Sequence, residues 1–305
     1  MTAQTRLKRA KRLAQALCVQ CLLRMFALLP LQLCHQLGSA IGWLIAVLPN
    51  NLRRITRINI DRCLPELSSA QRAQLARDSL MRMGVTIAET GPVWFWKGAR
   101  LQNLVREVSG EHLIDEAMRR GKGVILAAPH LGCWEMVGVY CSPRYPMITL
   151  YRPPKLHHLD SMMRKARNRF GGQLAPTDRS GVRLLYEALA RGELVGILPD
   201  QEPAGGQGLF APFFGVPANT MVLLSRLARQ SGATVLFAYA ERLPSSRGYH
   251  IHFVPAVAGV SDRNLEVAVA HVNSGIEECV RGLPEQYQWS YKRFRSRPQD
   301  ELPIY

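Results

Sequence analysis

From about residue 110 to the C-terminus, short apolar runs alternate with amphipathic stretches, and this alternation restricts the chain more than any other feature. The pattern predicts helices over 111–120, 133–142, 158–170, 180–191, 219–230 and 262–282. It predicts strands over 124–128, 146–151, 194–198, 233–240 and 249–255, and a Gly/Pro-rich loop over 203–218. Apolar strands separated by amphipathic helices bury both faces of a sheet. The expected fold class is therefore α/β, a mixed sheet flanked by helices, and no internal repeat interrupts it.

The N-terminal part is different. Arg6, Lys8, Arg9, Lys11 and Arg12 precede an apolar stretch from Leu13 to Pro49, and no Lys, Arg, Asp or Glu occurs from Met25 to Leu52. Roughly 20 apolar residues suffice to cross a bilayer. Pro30 should kink or split the helix, so a helical hairpin or an interfacial helix is as consistent with the pattern as a span. Basic residues follow as well, at Arg53, Arg54, Arg57 and Arg62. A stretch with cations at both ends suits the cytoplasmic face of a membrane. The chain carries 39 basic and 23 acidic residues, a net charge of +16. With the basic residues flanking an apolar segment and no nucleic-acid-binding signature, anionic lipid is the expected partner rather than nucleic acid. The division expected is a basic membrane-associated segment over 1–63 and a globular domain over 64–305, with Ser68 or Ser69 capping its first helix. Seven cysteines in no disulfide pattern imply reduced thiols.

Chemistry concentrates in Gly123-Val-Ile-Leu-Ala-Ala-Pro-His130-Leu-Gly-Cys-Trp-Glu135. His130 should lie at the carboxyl end of a buried strand, where open α/β sheets place their ligands. Gly132 permits a tight turn, and Glu135 in the first turn of the next helix can fold back toward the imidazole. Such a pair makes a general base: imidazole takes a proton from a hydroxyl, and the carboxylate sets the tautomer. No G-x-S-x-G elbow accompanies it, so the attacking hydroxyl would be the substrate's own. Asp200 and Gln201 follow another strand end, Gly196-Ile-Leu-Pro199, and could orient His130 or an arginine, bind the acceptor, or cap a turn. His157-His158 and His250-x-His252 could suggest a metal, but no carboxylate stands at ligand spacing with either, and none is expected. Lys292, Arg293, Arg295 and Arg297 are expected to form a solvated or membrane-facing basic tail, or a contact for an acidic protein.

The H-x4-E pair in its strand-turn-helix setting resembles the H-x4-D/E motif of glycerolipid-type acyltransferases. More narrowly, His130-Leu-Gly-Cys-Trp-Glu135 is similar to the lipid A late acyltransferases. Three further segments resemble that family. One is Tyr151-Arg-Pro-Pro-Lys155, continuing through Leu159-Asp160 to Arg164, Arg167 and Gly171. The second is Asp200-Gln201 with Gly208-Leu-Phe-Ala-Pro-Phe-Phe-Gly215 and Thr220, and the third is Tyr287-Gln-Trp-Ser-Tyr-Lys-Arg-Phe294, ending near Pro298. The family often has Asn where Pro129 and Cys133 stand here.

The resemblance implies an O-acyltransferase with no cofactor. Its donor would be acyl-acyl carrier protein, with that carrier protein as partner. Its acceptor would be a hydroxyl of a lipid A precursor at the cytoplasmic face of the bacterial inner membrane. His130 would be the base, Glu135 its orienter, and Arg167 with Arg164 the charge stabilisers. Arg152, Asp200, Gln201, Phe213, Phe214, Gly215 and Thr220 would contact substrate, an acyl chain packing on the phenylalanines. Rival readings are an acyltransferase using acyl-CoA on another glycolipid or phospholipid, and a non-catalytic membrane scaffold.

Overall fold

The computed structural model describes residues 3–154, 156–203, 208–299 and 301–305, with side chains from residue 10 onward. Lys155 and the side chains of Arg6, Lys8 and Arg9 lie outside the described residues. Seven strands form one mixed sheet in the order β1-β9-β8-β2-β5-β3-β4. They are β1 (Val105–Ser109), β2 (Val124–Ala127), β3 (Met147–Tyr151), β4 (Gln173–Pro176), β5 (Leu194–Ile197), β8 (Thr234–Arg242) and β9 (Tyr249–Pro255). Neighbours from β8 to β4 are parallel, and β9 is antiparallel to β8. The central strands β2 and β5 are buried at every residue, as continuous apolar runs in a sheet covered on both sides require.

One face of the sheet packs against α9 (Arg179–Ala190), α10 (Leu223–Ser231) and α11 (Leu265–Gly282), around Ile125, Ile197, Leu185, Leu227 and Ile276. The other packs against α6 (Glu111–Arg119) and α7 (Glu135–Cys141), around Leu126, Leu236, Ile114, Met136 and Ile251. The α/β expectation agrees with this architecture. Four strands escape the sequence pattern, and all are peripheral or short. Edge strands β1 and β4 lack an apolar run, and the expected loop over 203–218 contains a hairpin. Its strands β6 (Gly208–Phe213) and β7 (Val216–Met221) turn at Phe214 and Gly215, both at positive φ. Strand β7 thus takes the start of the helix expected over 219–230.

Pro30 splits the N-terminal apolar stretch into α1 (Ala3–Leu28) and α2 (Leu31–Val47). Among the described residues no single helix is long and apolar enough to cross a membrane. Helices α2 and α3 (Asn51–Cys63) reach that length only as a pair bent by 81°. Ser68 caps α4 (Ser69–Phe95), exchanging hydrogen bonds with Gln71 in a capping box. Helix α4 continues through Gly84, Gly91 and Pro92, all buried. A Cβ on Gly84 would lie 2.1 Å from the Gly38 carbonyl oxygen, and one on Gly42 would lie 2.3 Å from that of Leu80. The Gly38-x3-Gly42 spacing is a readable signal for this close crossing of α2 and α4.

Candidate active site

Strands β2 and β5 are parallel neighbours with Ala127 opposite Ile197. Each continues through a proline, Pro129 or Pro199, into a polar residue, and the two polar residues meet. The buried Asp200 carboxylate accepts from His130 Nδ1 at 2.8 Å through Oδ1 and from the His130 backbone N–H at 2.8 Å through Oδ2. Burial opposes the charge on Asp200, but the His130 charge, both hydrogen bonds and Arg293 hold its carboxyl below the usual carboxylate range. A Nδ1–H held by Asp200 leaves the Nε2 lone pair for proton abstraction. Gln201 Nε2 lies 3.3 Å from it and also donates to Gln288 Oε1 at 3.1 Å. Trp134 meets the imidazole edge-on at 4.8 Å.

Glu135 does not orient His130. It sits at the first position of α7, and its carboxylate takes Arg167 of α8 (Asp160–Asn168) in a two-pronged pair, with Nε donating at 3.1 Å and Nη2 donating to the second oxygen. Among the described residues no hydrogen bond joins Glu135 to His130. Burial works against the Arg167 charge, but Glu135 outweighs it and keeps the guanidinium cationic. Arg167 Nη1 carries no hydrogen bond among the described residues. Arg164, one helical step away, turns to Asp160 (2.9 Å) and does not line the cleft, which removes it from the expected charge-stabilising pair.

A cleft of about 1460 Å³ opens over His130, Glu135, Arg167, Arg152 and Gln201. One part runs between α7 and the sheet, along Val137, Gly138, Met147, Thr149, Phe170 and Gly196. A Cβ on Gly138 would meet nothing within 4 Å. Phe213 and Phe214 do not line the cleft. They are buried in the core against Tyr287, Trp289 and Phe294, because the hairpin folds them inward. Gly215 serves the hairpin turn, and buried Thr220 receives Arg293 Nη2 at 2.5 Å. These four residues therefore support the domain and do not touch the cleft.

The turn bearing His130 is braced by Gly132, as its sequence position suggests, and by residues the sequence does not flag for the site. Gly132 has φ +61° and lies so close to β8 that a Cβ would meet the Ala240 carbonyl oxygen at 2.0 Å. Cys133 N–H donates to that same oxygen at 2.8 Å, and Gly132 N–H donates to Gln286 at 3.1 Å. Gln288 N–H donates to the His130 carbonyl at 3.1 Å, so the segment resembling the family's C-terminal block clamps the turn from the other side. Arg242 donates to the Gly132 carbonyl at 3.0 Å and pairs with Glu89 of α4, both side chains 2% exposed. Burial opposes the Glu89 charge, yet Arg242 holds its carboxyl far below the usual range. The C-terminal basic tail is solvated only in part: Lys292 and Arg295 are exposed, Arg295 while pairing with buried Glu202 at 2.9 Å, whereas Arg293 is buried and Arg297 pairs with Glu301.

An oriented histidine and a fixed arginine over a long cleft suit one class of protein, and similarity to known proteins agrees on it: this is an acyltransferase. The model of bacterial lipid A biosynthesis acyltransferases matches residues 2–296, and the chain belongs to that family. It is 31% identical over 276 residues to the lipid A biosynthesis palmitoleoyltransferase of Escherichia coli, covering 88% of this chain and 87% of that one. The lauroyltransferase of the same organism is 28% identical over 272 residues, 89% and 88% of the two chains. Its myristoyltransferase is 23% identical over 286 residues, 92% and 86%. Membership of this family supports acyl transfer in lipid A biosynthesis as the activity of the chain.

Proposed function

We propose that the protein moves a fatty acyl chain from an acyl-acyl carrier protein thioester to a hydroxyl of a lipid A precursor, with His130 as general base and Asp200 as its orienter. The acceptor hydroxyl displaces the Gln201 contact at Nε2 and attacks the thioester carbon while its proton passes to Nε2. The tetrahedral intermediate collapses, the C–S bond breaks, and the departing sulfur takes the proton from the imidazolium. Ester and carrier thiol are the products, and no cofactor is consumed. Arg167, locked by Glu135, places positive charge beside the developing oxyanion. Arg152, exposed at the cleft mouth, suits an anionic group of either substrate. The acyl chain enters the part of the cleft between α7 and the sheet.

The observation that carries this reading is the double contact of Asp200 with His130 at the cleft floor. Membrane seating is supported by where apolar side chains meet solvent. Among the described residues, twelve of the eighteen exposed large hydrophobics lie between Leu13 and Leu52, Trp43 and Leu48 among them. Exposed apolar side chains concentrated in one segment suit an interaction face, and the flanking arginines Arg53, Arg54 and Arg57 fit the anionic headgroups of the cytoplasmic leaflet. The test is mass spectrometry of lipid A from cells with and without the gene, complemented by wild type or His130→Ala. Loss of one acyl chain, restored only by wild type, is expected. Unchanged lipid A in the deletion strain would overturn the acceptor assignment. A purified His130→Ala protein that still turns over acyl carrier thioester would overturn the base.

A further inference from the structure

Away from the cleft, β8, β9 and β1 bring together two imidazoles and a carboxylate that acyl transfer does not use. His250 and His252 are two residues apart on β9, so both side chains project from one face. Glu241 of β8 is the register partner of His250 across the antiparallel pair. Its Oε2 lies 3.0 Å from His252 Nε2 and 3.9 Å from His250 Nδ1. One nitrogen of each ring and one carboxylate oxygen fall within 4.8 Å of one another, and all three residues are half-buried. The sequence spacing hides this carboxylate, because it approaches across strands and not along the chain.

We propose that Glu241, His250 and His252 form a binding site for a divalent metal ion, zinc(II) by preference. Two imidazoles and a carboxylate with a fourth position open to water are an ordinary zinc set. Bonds of about 2.0–2.1 Å in a tetrahedron place ligand atoms about 3.3 Å apart. The 3.0 and 3.9 Å from Glu241 to the two imidazoles bracket that spacing, and all three ligand atoms lie within 4.8 Å of one another. The rings are also oriented from behind. Ser109 Oγ lies 2.8 Å from His250 Nε2, and Tyr239 stacks on His252 with centroids 4.6 Å apart. Outer contacts of this kind set the tautomer and direction of a liganding imidazole. The His250 Nδ1 faces carboxylate oxygens of Glu107 at 3.5 Å and Glu241 at 3.9 Å, and with zinc bound at Nδ1 the Nε2–H donates to Ser109. The imidazole and carboxylate donors favour zinc over calcium or magnesium, which prefer all-oxygen shells.

Zinc here would tie β9 to the end of β8, one residue from Ala240, whose carbonyl anchors the catalytic turn. The experiment uses full-length protein in detergent micelles, purified without a polyhistidine tag, stripped with EDTA and titrated with zinc(II) against a chromogenic chelator. One zinc per chain is expected. His252→Gln should weaken binding by more than about 100-fold, beyond the 10–100-fold expected for Ser109→Ala, which removes only an outer contact. X-ray absorption of the wild-type zinc complex should show a shell of nitrogen and oxygen alone. Absence of stoichiometric binding overturns the site, as does affinity unchanged by His252→Gln. Sulfur in the shell, lost in Cys18→Ser/Cys21→Ser, overturns it by placing the metal on the exposed cysteines of α1.

Discussion

Asp200 follows His130 by 70 residues, yet its carboxylate holds both the imidazole Nδ1 and the backbone N–H of that histidine, each at 2.8 Å. One oxygen sets the tautomer and the other pins the turn. Replacing Asp200 by Asn keeps the shape, but an amide NH2 facing Nδ1 favours the wrong tautomer. A comparable change in a catalytic triad lowers kcat about 10⁴-fold. Asp200→Asn should therefore lose about 10³–10⁴ in kcat at temperatures where the variant remains folded. Turnover within tenfold of wild type would remove Asp200 from the mechanism.

Glu135 and Arg167 act as a unit, so their effects should not add. Glu135→Gln frees the guanidinium from its carboxylate, and Arg167→Met removes the charge itself. Each single variant should lower kcat by about 10²–10³, the scale for losing one oxyanion contact. The double variant should be no worse than Arg167→Met. Steady-state kinetics on the three proteins decides this, and simple multiplication of the two losses would show that Glu135 has a separate role.

The Glu89–Arg242 pair lies between α4 and the Gly132 carbonyl, and both side chains are buried. Removing one partner strands a charge in the interior, at a cost of about 3–5 kcal/mol. Arg242→Met should lower the unfolding midpoint sharply and reduce activity at temperatures where the protein remains folded, because the turn loses a brace. Adding Glu89→Gln should recover part of the stability. Chemical denaturation of the single and double variants measures both effects.

The pH dependence of stability follows from Asp200 and Glu89, whose carboxyls are held below their ordinary range in the folded chain. A depressed folded value favours the folded state above the unfolded value, near 3.8 for Asp and 4.5 for Glu. That stabilisation disappears as pH falls through the lower folded values. Stability should be level from neutrality to about pH 5 and then decline in acid. Asp200→Asn should show a shallower acid decline in the same titration.

Chain-length selectivity should depend on Gly138, which faces open space in the cleft between α7 and the sheet. Gly138→Leu fills this volume without disturbing the helix, since Leu is the better helix former. Competition between short and long acyl carrier thioesters should shift toward the shorter chain, while His130-dependent chemistry persists. An unaltered preference would place the acyl chain elsewhere in the cleft.

Much of this protein was already determined by local pattern. Apolar runs at Val124–Ala127 and Leu194–Ile197 mark central strands because both faces must be buried, and Pro30 marks the break between α1 and α2 because its ring cannot continue a helix. His130 belongs at a strand end for the same reason. Its partner was decided only by tertiary structure. Glu135 is close in sequence, but hydrogen bonding depends on direction in space, and the parallel register of β2 and β5 delivers Asp200 to Nδ1 while Arg167 claims Glu135. The inward turn of Phe213 and Phe214, and the meeting of Glu241 with His250 and His252, arise likewise from cross-strand pairing. Such contacts join residues distant along the chain, so they carry no local period, and only the assembled sheet places them together.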